Sequence, residues 1–136
     1  MKKLKKKTEL QLLKKELDKW FSRYIRLRDC TNSFLPYGKC ITCGAVRHWK
    51  KADAGHFIKR QYLATRWDEK NVNLQCKRCN AFEQGANEKY VIAIDKKWGE
   101  GTAEMLEIKK HNKVKMTKFE YEHLIKEYKQ KVKELE

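Results

Sequence analysis

Two cysteine pairs constrain this chain more than any other feature. Cys40-Ile-Thr-Cys43-Gly and Cys76-Lys-Arg-Cys79-Asn each leave two residues between thiols. That spacing lets both sulfurs of a pair reach one ion, and two pairs complete a tetrahedral S4 site. Disulfides suit secreted chains, but no apolar segment follows the lysine-rich start MKKLKKKTELQ. A redox motif would not come twice, and buried free cysteines would not show this spacing. Cys40, Cys43, Cys76 and Cys79 are therefore expected to hold a structural Zn2+. Four thiolates leave no open position for water, so this ion holds the fold and any catalysis needs another centre. The pairs are 32 residues apart, Gly44 to Gln75, against about 15 to 20 in a plain zinc ribbon. Something is built into the gap. Cys30, outside the pattern, reads as a half-buried thiol at a helix end.

At 136 residues the chain fits one domain that buries roughly two-thirds of its unfolded surface, a modest core that a metal staple would help. No apolar run approaches the roughly 20 residues needed to span a bilayer, so a cytoplasmic protein without membrane contact is expected. Thirty-three Lys and Arg against 18 Asp and Glu give a formal net charge of +15. Lysine- and glutamate-rich helices that merely solvate themselves carry nearly balanced charge, and this excess makes a polyanion the expected partner, nucleic acid first.

Thr8-x-x-Gln11 is a capping-box pattern, and Leu10, Leu13, Leu17, Trp20, Tyr24 and Leu27 recur at helical spacing, predicting a helix over 8–29 behind a frayed basic tail. Pro36 and Gly38 end that segment. Residues 36–86 read as a small cysteine-bounded unit: β-type stretches at Val46–Trp49 and Asp53–Ile58, a polar loop, then a helix running on from Cys76 to Cys79. Residues 87–136 read as helical. Asn87 caps a helix that stops at Gly99, Thr102 starts another, and Thr117-x-x-Glu120 caps a last one with Tyr121, Leu124, Ile125, Tyr128, Val132 and Leu135 on one face.

Inside the gap lies Asp53-Ala-Gly-His56-Phe57. Alone, His56 would be an ordinary half-buried histidine. Set with Cys40-x-x-Cys43, Asn71 and Cys76-x-x-Cys79-Asn80, it resembles the ββα-metal (HNH, or His-Me finger) nucleases of the zinc-stapled type. The longer runs LDKWFSRYIRLRD and DAGHFIKRQYLATRWDEKNVNLQCKRCN are similar to the NinG/Rap recombination proteins of lambdoid phages, over roughly residues 17 to 100. The resemblance implies an α+β fold with a zinc-stapled ββα-metal core flanked by amino- and carboxy-terminal helices. It also implies a phage- or prophage-encoded, structure-specific DNA endonuclease acting on branched recombination intermediates such as Holliday junctions or D-loops.

That family pattern maps onto His56, Asn71 and Asn80. An imidazole with an ordinary pKa near 6.5 suits the removal of a proton from water, so His56 is the candidate general base. A Mg2+ or Mn2+ ion would prefer oxygen ligands, and Asn80 offers one, unless it serves only as a helix cap. Asn71 ties its loop to the histidine strand. Asp53 stands three residues before the histidine rather than beside it, as in some non-specific nucleases of the superfamily. It supplies either a second ligand or a supporting hydrogen bond, and on a regular strand it needs a bulge at Gly55 to join His56.

Lys59, Arg60, Arg66, Lys77 and Arg78 are the expected phosphate contacts. Trp67 and Tyr62 either stack on unpaired bases or pack over the core, whereas His48, His111 and His123 show no ligand spacing. Two rivals stand beside the branch-directed nuclease: a non-catalytic zinc module that only binds nucleic acid, and an HNH nuclease without branch preference. Symmetric cutting of a four-way junction needs two sites, so a homodimer through either long amphipathic helix is expected unless both stripes cover the core of one chain. Recombination proteins are further expected partners.

Overall fold

In the computed structural model, which describes residues 6–31, 35–82 and 86–136, the first helix begins at a reciprocal cap. The Thr8 amide donates to Gln11 Oε1 at 2.9 Å, and the Gln11 amide donates to Thr8 Oγ1 at 3.2 Å. Helix α1 runs Glu9–Thr31, slightly past its expected end. Its buried face is centred on Leu17, Phe21 and Ile25, while Leu10 is 44% exposed, so the stripe lies to one side of the expected one. The cause is a neighbour that the sequence of α1 does not reveal.

That neighbour is α5, Lys118–Leu135, which starts where Thr117 Oγ1 accepts the Glu120 amide at 3.2 Å. Its predicted face holds, with Tyr121, Ile125, Tyr128 and Val132 buried. Tyr121, Ile125 and Tyr128 join Leu17, Phe21 and Ile25 in the main core, and Phe21 meets Tyr128 edge-to-face with ring centroids 4.9 Å apart. The two stripes thus cover each other within one chain. This matches the expected alternative in which both stripes are used within one chain, here against each other.

Between the helices, strand β1 (Tyr37–Lys39) pairs antiparallel with β2 (Val46–His48), and a 3₁₀ turn follows at Trp49–Lys51. Strand β3 (Asp53–His56) pairs antiparallel with β4 (Val72–Gln75), in the register Asp53↔Gln75 to His56↔Val72. The loop joining them carries a short helix, α2 (Leu63–Arg66). Strands β1 and β4 lie where loop was expected. All four residues of β4 are buried, so it shows none of the alternation that marks a half-exposed strand.

The helix expected to run on from the second cysteine pair is present as one wide π-type turn over Arg78–Phe82, which includes Cys79. Helix α3 (Asn87–Trp98) and helix α4 (Thr102–Lys109) follow, with Gly99 ending α3 as expected. Ala86 rather than Asn87 takes the cap position of α3, without a side-chain cap. Tyr90 and Ile94 of α3 and Ala103 and Leu106 of α4 bury Phe57 and Ile58 in a second, smaller core. The fold is mixed α+β, as expected. The start of the predicted frayed tail (residues 1–5) and the predicted end of the central unit near Gly85 lie outside the described residues. No helix among the described residues is long and apolar enough to cross a membrane.

Candidate active site and metal centre

The cysteines converge. The Sγ atoms of Cys40, Cys43, Cys76 and Cys79 all lie within 4.8 Å of one another, and Cys43 and Cys76 are 3.7 Å apart. Zn–S bonds of about 2.3 Å arranged tetrahedrally set sulfurs about 3.8 Å apart, so the cluster is able to hold a zinc ion. Local backbone builds the first pair. The Cys40 amide donates to the Ala45 carbonyl and the Gly44 amide to the Cys40 carbonyl, each at 2.8 Å. This tight turn needs Gly44 at φ +77°, where a side chain would be strained. Burial pushes the Cys40 thiol up, but the Thr42 hydroxyl and neighbouring amides outweigh it and bring it down to about 6, favouring thiolate. The Ile41 amide donates to Leu74 of β4 at 2.9 Å and Gln75 Nε2 to Thr42 Oγ1 at 3.2 Å, so the first knuckle is hung on the histidine sheet. Cys30 lies apart from the cluster. It is fully rather than half buried, against Ala52 and Leu74, and burial pushes its thiol up to about 11.

His56 sits at the end of β3 with its Nε2 2.9 Å from the Arg66 carbonyl. A carbonyl only accepts, so the neutral ring carries its proton on Nε2 and keeps a lone pair on Nδ1. The ring lines an open cleft of about 420 Å3 together with Asp18 and Ser22 of α1, Ala54, Lys59, Arg60 and Asn80. Burial, then the charges of Arg60 and Arg66, bring His56 down to about 4, against the opposing pull of the Arg66 carbonyl and Asp18. The ring is neutral at physiological pH.

The loop that presents the Arg66 carbonyl is closed by Asn71. This residue is fully buried and uses its whole amide: Oδ1 accepts the Ile58 amide at 2.7 Å, and Nδ2 donates to the Ile58 and Thr65 carbonyls at 3.1 and 3.0 Å. Asn71 therefore positions the loop and does not face the cleft.

No bulge brings Asp53 beside His56. The ladder is regular through Gly55, so the two side chains leave opposite faces of β3. Gly55 has a different use: a Cβ there would lie 2.0 Å from Gln75 Oε1, so glycine makes room for that buried side chain. Asp53 reaches the site through Asn80, whose Nδ2 donates to Asp53 Oδ2 at 3.0 Å. A carboxylate accepts only, which turns the Asn80 Oδ1 away from Asp53. Asn80 is no helix cap, since its own amide donates to the Cys76 carbonyl inside the wide turn at 3.0 Å. Of this pair Asn80 lines the cleft and Asp53 does not, its second oxygen being paired with Lys77.

The five expected phosphate contacts divide. Arg66 binds the Asp18 carboxylate through Nε and Nη2 and lies over Trp67, with a side chain only 16% exposed. Arg60, 58% exposed, reaches the same carboxylate at 2.6 Å, and Lys77, 61% exposed, pairs with Asp53 at 2.8 Å. Lys59 is exposed at the cleft and Arg78 is exposed beside the cluster. Arg66 is thus a buried anchor, whereas the other four keep exposed cations. Trp67 donates to Asp18 at 3.0 Å and packs on Tyr121, and Tyr62 packs on the smaller core, which favours packing for both. His48 caps the turn after β2, and His123 stacks on Phe119.

Asp18 is the residue missed by sequence reasoning. Burial would raise its carboxyl, but hydrogen bonds and charge from Arg66 and Arg60 hold it below the usual range. Its only sequence signal is an acid at i−3 from Phe21, on a helix that carries Glu9, Glu16 and Asp29 as well.

Comparison with known proteins places the chain. The family model described as Bacteriophage Lambda NinG protein matches residues 1–136. The curated "Protein ninG" of Escherichia phage 933W is 31% identical over 124 residues, covering 89% of this chain and 57% of that protein. Those of Escherichia phage lambda and Salmonella phage P22 are also 31% identical over 124 residues, covering 89% of this chain and 56% of each. The chain therefore spans little more than half the length of these relatives. No solved structure matches it.

Proposed function

Because the chain belongs to the family of the bacteriophage lambda NinG protein, we propose that it is a metal-dependent, structure-specific DNA endonuclease acting on branched recombination intermediates. One observation carries the reading: a neutral histidine with a fixed tautomer shares an open cleft with the amide of Asn80 and the exposed cations Lys59 and Arg60.

In the proposed reaction His56 Nδ1 takes a proton from water as the water oxygen attacks phosphorus, and the P–O3′ bond breaks, the departing O3′ taking a proton from solvent, to leave 5′-phosphate and 3′-hydroxyl ends. The Arg66 carbonyl holds the imidazole ring and stabilises the imidazolium that forms, the service a carboxylate gives in other histidine bases. Asn80 would hold Mg2+ or Mn2+ through Oδ1, with Asp53 as the hydrogen-bond partner that orients the amide. When bound, the ion would neutralise charge on the phosphate and the departing oxygen. Lys59 and Arg60 would bind neighbouring phosphates. Zinc on the four cysteines would keep Asn80, the residue after Cys79, at the cleft. We assign the protein to the cytoplasm of a bacterial host, encoded by phage or prophage and acting beside recombination proteins.

The test is cleavage of a labelled four-way junction and a linear duplex of the same sequence with Mg2+ or Mn2+, by wild type and His56→Ala of equal zinc content. Junction cutting lost in His56→Ala is expected. Equal cutting of both DNAs would make it an HNH nuclease without branch preference. Binding without cutting in either ion would leave a non-catalytic zinc module.

A further inference from the structure

Helix α1 forms one wall of the cleft through Asp18 and Ser22, and what lies one turn further along it has no part in the mechanism above. Arg26 donates through Nε to the Ser22 carbonyl and hydroxyl, each at 3.2 Å, and through Nη1 to the Trp49 carbonyl at 3.2 Å. Its guanidinium lies 5.2 Å from the Trp49 ring centroid, and Lys50 lies 5.5 Å from the same ring. Arg23 is held between two indoles, 5.3 Å from Trp49 and 5.9 Å from Trp20. Lys129 of α5 closes the row 5.5 Å from Trp20.

Cations that only solvate a helix usually pair with carboxylates a turn away. Here five cations rest against the two indole rings, Lys19 joining at 5.4 Å from Trp20, and two of them pair with acids: Arg23 with Glu136, and Lys129 with Glu16. Arg26 and Lys50 have no carboxylate partner among the described residues. An arginine lying on an aromatic ring loses rotamer freedom in advance, and although Arg23 and Arg26 each spend Nε and one terminal nitrogen within the chain, each guanidinium keeps a second terminal nitrogen to donate to a phosphate oxygen. The row is continuous with the cleft through Ser22 and Arg26, and Arg26 is within electrostatic reach of Asp53.

We infer that this indole-backed row, Arg26–Trp49–Arg23–Trp20, is a DNA-backbone track that holds the arm leaving the cleft. The inference rests on the nuclease reading for the identity of the polyanion and goes beyond it in naming where a second stretch of phosphates binds. Phosphates of one strand would pass from Lys59 and Arg60 at the cleft to Arg26, Arg23 and Lys50. Branched DNA would then touch the protein at two separated stretches, which a short linear duplex would not fill.

The experiment is equilibrium binding of a four-way junction at several salt concentrations without added divalent ion. It compares wild type, Arg23→Gln/Lys50→Gln, and a charge-matched control, Lys113→Gln/Lys115→Gln, whose exposed lysines sit between α4 and α5. Zinc content and thermal melts establish that all three are folded. Each phosphate contact contributes about 0.9 to the slope of log K against log salt. The ridge variant is therefore expected to lose about two from that slope and about ten-fold or more in affinity near 0.1 M salt, with the control close to wild type. An unchanged slope in the ridge variant, or an equal loss in the control, would overturn the track. Wild type that binds with the expected slope yet never cuts would end the nuclease reading and leave the track standing.

Discussion

His56 is neutral because of what surrounds it. Burial and the Arg60 and Arg66 charges bring it down to about 4, so protonation should not limit catalysis near pH 6.5, where an ordinary histidine is half charged. Under the proposed function, kcat/KM for junction cleavage should be flat from pH 7.5 to pH 6. A half-maximal point near pH 6.5 attributable to His56 would contradict the neutral, buried ring. The same shift acts on stability. The unfolded chain takes up this proton near pH 6.5 and the folded one only near 4, so the unfolded state gains as pH falls through that window. The stability of wild type relative to His56→Ala should therefore fall by about 2 kcal/mol between pH 7 and pH 5 in urea melts. Asp18 works one residue further back, fixing the side chain of the residue whose carbonyl holds His56. Asp18→Asn should cost about 2 kcal/mol, because it leaves the mostly buried Arg66 without a counter-charge, whereas Arg60→Gln at the exposed arm should cost under about 1 kcal/mol.

At the scale of elements, the site is a hairpin whose loop is tied shut. Asn71 serves three buried backbone groups, and Asn71→Ala orphans the Ile58 amide and carbonyl while the Thr65 carbonyl keeps the Asp68 amide, so it should cost about 3 kcal/mol, with Asn71→Asp no better because a carboxylate would face two carbonyls. Loss below about 1 kcal/mol in a urea melt would show that other contacts hold the loop. Gly55→Ala drives a Cβ into the Gln75 side chain, so it should be destabilising and should recover only in part in Gly55→Ala/Gln75→Ala, because the Cβ that remains at 75 would still lie 2.9 Å away. These two positions show what a sequence makes legible. Spacing alone pointed to the cysteine cluster, the helix caps at Thr8 and Thr117, and the face of α5, since each is a local pattern with a local cause. Strand β4 was not legible, because burial on both faces removes its alternation and leaves Val-Asn-Leu-Gln looking like loop. The place of Asp53 was not legible either, because a regular ladder and a wide turn after Cys79 set it, and neither leaves a motif. Asp18 was hidden for a related reason: its partners lie 42 and 48 residues away along the chain.

The whole molecule joins two stapled parts. The α1 and α5 pair makes one core, and the cysteine cluster fastens β4 and the wide turn, with Val72 of β4 reaching into the helical core. Removal of zinc by a chelator should therefore loosen Asn80 first while much of the α1 and α5 helicity persists in far-UV circular dichroism. Because the two apolar stripes cover each other, neither is left to drive pairing in free solution. Cutting a four-way junction symmetrically nonetheless needs two clefts, and a single copy carries one. These requirements are met together if DNA, rather than an apolar seam, brings the second copy: each protomer would hold one pair of arms through its own cleft and indole-backed row, with the phosphates offsetting the repulsion between two chains of formal net charge +15. Sedimentation of the free 136-residue chain over a dilution series should thus show a monomer, and titration into a four-way junction should show two chains per junction at saturation. A complex that stays at one chain per junction, with cutting intact, would mean that the two strands are cut by separate visits.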